Sequence, residues 1–342
     1  MKKEEMSMTI KDLAAKTGYA VGTVSRALNN HPNVSDKARQ AILKAAQESG
    51  FALNMNAKQL KQQHSTTILV VVKGSGNELF AEMVEMIQSL VSRTRYQLAV
   101  DYMDEDGNEV VRAVQLCREK KPLGILFLGG NSQSFEGDFE KIDVPCVLVT
   151  NDASNLGFEN LSSVSMDSKA AAKAACETLI GLGHKDFVIV GGDRNVSDTS
   201  RLRFEGCMQA FREHNIPFDT DRDYKGVRFS AEDGYRATIE LLGSGGRFTA
   251  MFAVADVMAM GAIRALWENN LRVPEDVSVI GVDGLSMGTY MVPQLSTIRQ
   301  PARTMALRSV EILIQGIEEA SPAVHEIVPF EVLRRESIRD IR

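Results

Sequence analysis

The sequence of 342 residues predicts a small all-α unit at the N-terminus, followed by a much longer α/β body of two doubly wound parallel sheets. Two observations lead to this fold class. Up to Gly50, short amphipathic helix patterns follow one another closely. From Thr66 onward, short β-branched runs alternate with helical patterns, as in parallel strands joined by right-handed helical crossovers. The alternation forms two series, which predicts two lobes.

A glycine separates the first two predicted helices. Thr9 is a suitable N-cap for a helix that starts at about Ile10 and carries Leu13 and Ala14 on the same face. Gly18 can adopt the positive φ that lets the chain leave this helix tightly. Two short helices joined in this way are typical of a helix-turn-helix.

The second helix, about Val21 to Leu28, is expected to have a buried face and a free face. Its inward residues are predicted to be Val24, Ala27 and Leu28, and its free residues Val21, Gly22 and Arg26. Such a helix could enter a DNA major groove, where Arg26 can pair with guanine.

A third helix should complete the unit, because two short helices cannot form a core alone. It is predicted to start after the Ser35 cap, to run over 36–49 and to stop at Gly50. Its packing residues are expected to be Ala38, Ile42 and Ala45.

Charge is distributed unevenly along the chain. Residues 1–65 contain ten Lys/Arg and five Asp/Glu, a net of +5, so the remainder carries −11 of the total of −6. A basic head on an acidic body is expected when only the head approaches phosphates.

Composition and motifs exclude several classes of protein. The chain contains no run of about 18 apolar residues and its start has no apolar signal-peptide core, so we expect a cytoplasmic protein without a membrane span. Four scattered cysteines and five scattered histidines indicate reduced thiols and no metal site. Nucleotide-binding, hydrolase and metalloprotease motifs are missing, which argues against an enzyme and predicts no cofactor.

The body is predicted to contain seven strands and six long helices. The strands are expected at 68–72, 97–101, 124–128, 146–150, 186–190, 249–254 and 277–282. The helices are expected at 79–92, 169–182, 201–214, 231–242, 257–269 and 301–318. A ligand should bind where the carboxyl ends of the strands in the two lobes face each other.

The N-terminal strings resemble the headpiece of the LacI/GalR family of bacterial transcriptional repressors. The similar segments are Ile10-Lys-Asp-Leu-Ala14 with Gly18, Thr23-Val-Ser-Arg-Ala-Leu-Asn29, Val34 to Arg39, and Glu48 to Phe51. The resemblance implies DNA contacts from Thr9, Ala20, Val21, Gly22, Thr23, Ser25, Arg26, Asn29, Asn54, Ala57, Leu60 and Lys61. Gly22 offers no side chain, so Arg26 should carry more of the specificity.

Residues 51–65 form a polar linker with helical tendency over 54–62. In the family, the matching segment folds into a hinge helix on operator DNA, and a leucine from each hinge wedges into the minor groove. Leu60 falls on that position; the alternative is that it packs on the body. Where many members have Tyr-x-Pro-Asn, this chain has Phe51-Ala-Leu53-Asn54, which lacks the proline.

The body resembles the type I periplasmic-binding-protein-like core that the family carries, with similar strings at Leu182–Gly192 and Val279–Gly284. The implied domains are a headpiece (1–50), a hinge (51–65) and an effector-binding and dimerisation core (66–342). Within the core, the first lobe is expected at 66–167 and 296–325 and the second at 168–295 and 326–342. The chain should cross between them near Met166–Ser168, Leu285–Thr297 and His325–Val328.

The resemblance also implies effector-binding positions. Arg203 lies at the effector-contacting arginine, Asp283 at the aspartate that accepts ligand hydroxyls, and Phe229 where an aromatic ring stacks on the ligand. Phe80 is a similar candidate, with core packing as the alternative. The family asparagine is replaced by Ala255, which removes a polar contact.

Two further positions lie close to the expected effector-binding residues. Asp256 is expected to cap the helix that begins beside it. Lys73 stands with Gly74 where the family has Pro-Asp, and it could favour an anionic ligand such as a sugar phosphate or be solvated.

Together these features predict a homodimeric, sequence-specific repressor of a carbohydrate-utilisation operon, with near-palindromic double-stranded operator DNA and a sugar or sugar phosphate as its partners. One alternative is a regulator that responds to a nucleoside, a purine or a protein corepressor. An exported solute-binding protein is the other, which the body alone would support.

Overall fold

The computed structural model describes residues 10–28, 34–49, 65–74, 76–245 and 247–342. These residues belong to two compact units, which divide between residues 64 and 65. We call the described part of the first unit, 10–49, the headpiece and the second unit, 65–342, the body.

The headpiece consists of the helices α1 (Ile10–Thr17), α2 (Val21–Leu28) and α3 (Asp36–Glu48). Gly18 adopts φ +72° as it donates its N–H to the Ala14 carbonyl at 3.0 Å, so the predicted glycine turn is confirmed. The predicted Ser35 cap is also confirmed, because its hydroxyl accepts from the Ala38 N–H.

The three helices surround a small apolar core. Its buried members are Leu13, Ala14, Val24, Ala27, Val34, Ala38, Ile42 and Ala46. Ala46 takes the buried place that the sequence assigned to Ala45, which is only half-buried, and Leu28 is half-buried as well.

The body contains two six-stranded sheets. The first sheet has the order β11-β5-β4-β3-β1-β2 and the second the order β12-β10-β9-β8-β6-β7. The first sheet is formed by β1 (Thr67–Lys73), β2 (Gln97–Met103), β3 (Gly124–Leu128), β4 (Cys146–Thr150), β5 (Leu161–Ser165) and β11 (His325–Ile327). The second sheet is formed by β6 (Phe187–Gly191), β7 (Tyr224–Gly226), β8 (Ala250–Ala253), β9 (Ser278–Asp283), β10 (Ser296–Arg299) and β12 (Glu331–Leu333). All described pairings are parallel except β10–β12, which is antiparallel.

Helices follow the strands of both sheets. Those of the body are α4 (Glu78–Val91), α5 (Glu109–Lys120), α6 (Ser132–Asp138), α7 (Ser168–Gly181), α8 (Asp198–Glu213), α9 (Thr220–Asp223), α10 (Ala231–Gly243), α11 (Asp256–Glu268), α12 (Met287–Tyr290) and α13 (Ala302–Glu319). The predicted fold class of a helical headpiece followed by two parallel-sheet lobes is therefore confirmed, with β12 as an antiparallel edge strand.

One of the three expected crossings between the lobes is wrong. We expected the second near Leu285–Thr297, but β10 pairs in parallel with β9 and still belongs to the second sheet. The chain crosses at 300–301, after which α13 packs against β3, β4 and β5. Residues 296–299 therefore belong to the second lobe.

The other two crossings lie close to their predicted positions. The first falls between Ser165 and Ser168, where β5 ends and α7 begins. The third follows β11, because Val328 still donates its N–H to the Ser165 carbonyl of the first sheet. Residues 325–327 thus belong to the first lobe, and the expected change of lobe at residue 326 is a few residues too early.

Candidate effector cavity and DNA-contacting helix

Helix α2 of the headpiece has two different faces. Val24 and Ala27 are buried in the core, whereas Val21 is 41% exposed and Gly22 and Arg26 are exposed. A guanidinium in the last turn can form the bidentate pair with guanine, and a small apolar side chain can contact a thymine methyl group.

The other sequence-predicted DNA contacts fall into two groups. Ala20 is exposed, and Thr23 and Ser25 are half-buried on α2. The remaining positions, Thr9, Asn29, Asn54, Ala57, Leu60 and Lys61, lie outside the described residues.

A cavity of about 590 Å³ lies between the two lobes of the body. Its walls are the carboxyl ends of β1, β4, β7 and β9 and the residues that follow β3 and β6. Parallel sheets present their binding crevices at these ends. The residues predicted for effector binding all line it: Phe80, Arg203, Phe229, Ala255 and Asp283.

Arg203 and Asp283 are the buried charges of the cavity. Arg203 extends from α8 and donates from Nη1 to the Val254 carbonyl, and Asp283 ends β9 with a strained φ of +128°. Burial raises the pKa of the Asp283 carboxyl to about 7, and the Arg203 guanidinium opposes this rise.

Gln300, which sequence reasoning missed, completes this part of the cavity. Its Nε2 donates to Asp283 Oδ1 at 2.7 Å. Gln300 Oε1 and Arg203 Nε are buried, and neither has a hydrogen-bond partner among the described residues. Gln300 Oε1 is an acceptor and Arg203 Nε carries a donor, and buried polar groups in folded proteins normally have a hydrogen-bond partner. The only signal in the sequence was the position of Gln300 beside a strand end, and that strand was not predicted.

The two aromatic candidates differ in burial. Phe80 is 7% exposed, belongs to the apolar core and lies against Gly129, so it packs in the core and also lines the cavity. Phe229 is half-buried and lies against Gly192. Either ring could lie against an apolar face of a ligand.

Asp256 does not cap helix α11, so that prediction is wrong. Its Oδ2 accepts from the backbone N–H groups of Gly284 and Leu285, both at 2.8 Å, and its Oδ1 accepts from Thr297 Oγ1 at 2.7 Å. Burial raises the pKa of this carboxyl to about 6. Asp256 therefore anchors the loop that directly follows Asp283.

Lys73 is neither a free cavity lysine nor a solvated one. Its Nζ lies 2.5 Å from Oε2 of the fully buried Glu109, and only 10% of its side chain is exposed. The solvated alternative is thus wrong, whereas Lys73 does line the cavity and its effect on an anionic ligand stays a prediction. The sequence did not indicate the partner, which lies 36 positions away.

Polar contacts join the two lobes at the mouth of the cavity. Arg228 of the second lobe donates to Asp104 at 2.6 Å and to Glu105 at 2.7 Å, both of the first lobe. Asp198 of the second lobe accepts from the Ser132 N–H of the first lobe at 2.6 Å. This structure is therefore one in which the lobes touch across the cavity.

Among the described residues, no group of His, Cys, Asp or Glu side chains could hold a metal ion. No helix in the described part of the chain combines the length and the apolar character needed to cross a bilayer.

Comparison with known proteins agrees with both units. Residues 9–54 match the family model described as bacterial regulatory proteins of the lacI family, and residues 176–338 match a periplasmic binding protein-like domain. The transcriptional regulator MalR of Clostridium butyricum is 35% identical over 98% of this chain and all of the relative. The chain belongs to the LacI family. It is a DNA-binding transcriptional regulator, as its relatives are.

Solved structures of LacI-family proteins share the whole architecture. A lac repressor dimer bound to operator and the anti-inducer ONPF superposes with a TM-score of 0.78 at 26% identity, covering 98% of this chain and all of that one. A complex of the regulator CelR with cellobiose gives a TM-score of 0.69 at 25% identity, covering 96% and 99%.

Proposed function

We propose that this LacI-family protein is a sequence-specific repressor of a carbohydrate-utilisation operon. It acts by binding rather than catalysis, in the cytoplasm, as a homodimer on near-palindromic operator DNA. A sugar or sugar phosphate in the cavity of each body switches its affinity for the operator. Leu60 of each hinge enters the minor groove, and Arg26 reads guanine in the major groove.

The observation that carries the DNA-binding proposal is the division of helix α2. Its buried residues hold the helix in the headpiece core, so the exposed Val21 and Arg26 are free to meet base edges. The operator-bound lac repressor dimer is the relative whose recognition mode we transfer to this chain.

The polar residues of the cavity support a sugar as effector. Asp283 accepts hydrogen bonds, Arg203 donates them and the Gln300 amide does both, as a molecule with several hydroxyls requires. The CelR–cellobiose complex provides a relative with a bound disaccharide. A ligand held between lobes can shift the equilibrium between their arrangements, and that shift is how it would act on the hinges.

The DNA-binding part of the proposal is tested by selecting sequences from a random duplex library with the full-length protein. Arg26→Ala is expected to lose selection of the enriched sequence and to keep weak, salt-sensitive binding, since an Arg–guanine pair discriminates by about 1–3 kcal/mol. Lys44→Ala is the control, because Lys44 is an exposed cation on α3. Unchanged selectivity in Arg26→Ala would contradict the role of Arg26.

The effector half is tested by thermal unfolding with a panel of sugars, sugar phosphates, nucleosides and purines. A ligand at 100 times its Kd adds about 2.7 kcal/mol of stability. We expect a sugar to raise the unfolding midpoint and the rise to vanish in Arg203→Ala and Asp283→Ala. A purine or nucleoside as the sole ligand would overturn the carbohydrate proposal.

A further inference from the structure

The wall of the cavity contains a buried ion pair. Lys73 ends β1 and lines the cavity, and Glu109 is the first residue of α5. Lys73 Nζ lies 2.5 Å from Glu109 Oε2, and the Glu109 side chain is fully buried. The ammonium is thus held by a carboxylate in the wall of the first lobe.

Glu109 is fixed by two further donors from the segment after β3. The Asn131 N–H donates to Oε1 at 2.7 Å, and the Ser134 hydroxyl donates to Oε2 at 3.2 Å. Both carboxylate oxygens therefore have partners. If Lys73 paired with an anionic ligand instead, Glu109 would remain as a buried charge without a counterion, which is strongly unfavourable.

The other charges of the cavity are unfavourable to anions as well. Six carboxylate side chains but only three cationic ones line it among the described residues. Of the other two cations, Arg228 is bound by Asp104 and Glu105, and Arg203 experiences the charge of Asp283. A phosphate group would enter a site whose carboxylates outnumber its cations and in which Lys73 and Arg228 already have carboxylate partners.

We infer that Glu109 is a specificity-determining residue: by neutralising Lys73, it restricts the cavity to uncharged polyhydroxylated ligands and excludes phosphorylated ones. The inference rests on the proposed function in taking the cavity as the effector site, and it narrows the effector from a sugar or sugar phosphate to an uncharged sugar. Glu109 acts through Lys73 and has no direct contact with the ligand in this scheme.

The unpaired atoms in the cavity agree with this selectivity. Arg203 Nε needs an acceptor and Gln300 Oε1 needs a donor. A hydroxyl group can be both, whereas a fully ionised phosphate group offers only acceptors and could pair with Arg203 Nε alone. An uncharged sugar can therefore satisfy both atoms through its hydroxyls.

Inorganic phosphate tests the role of Glu109 without knowledge of the natural ligand. Its binding to the full-length protein is measured by calorimetry at constant ionic strength for wild type, Glu109→Gln and the double variant Lys73→Gln/Glu109→Gln. Glu109→Gln removes the carboxylate that neutralises Lys73. This variant is therefore expected to bind phosphate at least tenfold more tightly than the other two proteins. Equal binding by all three proteins would overturn the inference, and so would a gain that persists in the double variant.

A second measurement uses the wild-type protein alone, so it tests the exclusion of phosphorylated ligands even if Glu109→Gln does not fold. For each uncharged sugar that raises the unfolding midpoint, the Kd of its phosphate ester is compared. We expect the ester to bind at least tenfold more weakly; an ester that binds as tightly as its parent sugar would refute the exclusion of anions. If no sugar binds but Glu109→Gln gains phosphate affinity, the carbohydrate proposal fails while the role of Glu109 stands.

Discussion

Replacement of Asp256 by alanine should destabilise the second lobe strongly, whereas replacement by asparagine should not. Alanine removes the acceptors of the Gly284 and Leu285 N–H groups and of the Thr297 hydroxyl. The hydroxyl can still turn to the Ile298 carbonyl, and the Gly284 N–H keeps a longer contact of 3.3 Å with Thr297 Oγ1, but the Leu285 N–H has no other acceptor. A buried donor left without a partner costs about 1–3 kcal/mol and the Gly284 N–H keeps only its weaker bond, so we expect a loss of about 2–4 kcal/mol in the free energy of unfolding.

Asparagine at the same position serves as the matched control. Its Oδ1 can accept from both N–H groups, and its Nδ2 can donate to Thr297 Oγ1. It also removes a carboxyl whose burial raises its pKa to about 6, so its ionisation at neutral pH opposes folding and the charge itself adds no stability. We expect Asp256→Asn to lose less than about 1.5 kcal/mol, the net value of a typical hydrogen bond.

Urea unfolding measures the difference, followed by circular dichroism and by the fluorescence of Trp267. Trp267 is the single tryptophan of the chain and lies near the end of α11, the helix that Asp256 begins, so its signal reports on this lobe. A loss below about 1 kcal/mol in Asp256→Ala, or equal losses in the two variants, would refute the assigned hydrogen bonds.

Two further predictions concern charge. Arg228→Gln should open the mouth of the cavity, because it removes the ion pairs with Asp104 and Glu105 that join the two lobes. Small-angle scattering should show a larger radius of gyration than for Arg264→Gln, which breaks a pair within one helix. The folded-state pKa of about 7 for Asp283 lies above its unfolded value, so the unfolding free energy should fall as pH rises from about 4 to 7 and then level off. Asp283→Asn should flatten this fall in urea midpoints measured from pH 5 to 8, and an unchanged slope would contradict the assignment.

The sequence predicted most of the long elements because their apolar spacing and some of their ends carry readable signals. Helix α10 begins at its predicted residue 231, after Ser230, whose hydroxyl accepts from the Asp233 N–H. Helix α8 begins after Ser197, three residues before its predicted start at 201, and α5 was not predicted. The headpiece helices were identified within one residue for the same reason and because glycine and apolar spacing mark them.

Strands β5 and β10 were missed because they bury polar residues. Ser162 and Ser163 of β5 are buried, and their hydroxyls bond with the Val324 N–H and with His325 Nδ1. Ser296 of β10 is fully buried, and its hydroxyl accepts from the Arg335 N–H. Such serines interrupt the apolar run that predicts a buried strand, and their partners come from distant segments. The error at the second crossing follows from the missing β10.

The sequence predicted only those residues of the candidate site that could be matched one by one to positions of the family. Phe80, Arg203, Phe229, Ala255 and Asp283 meet in one cavity, as expected. The pairings within the cavity were not predictable, because they join residues far apart in the chain: 36 positions separate the two members of the Lys73–Glu109 pair, and more than 100 separate those of the Arg228 contacts.

The second crossing between the lobes passes through the wall of the cavity itself. Gln300 donates its backbone N–H to the Asp283 carbonyl at 3.0 Å and its side-chain amide to the Asp283 carboxylate, so the connecting strap is fastened to the end of β9. A ligand that pairs with Gln300 Oε1 would therefore contact the segment that connects the two lobes. Ligand binding can then act on this connecting segment without intermediate residues, because the segment itself lines the cavity.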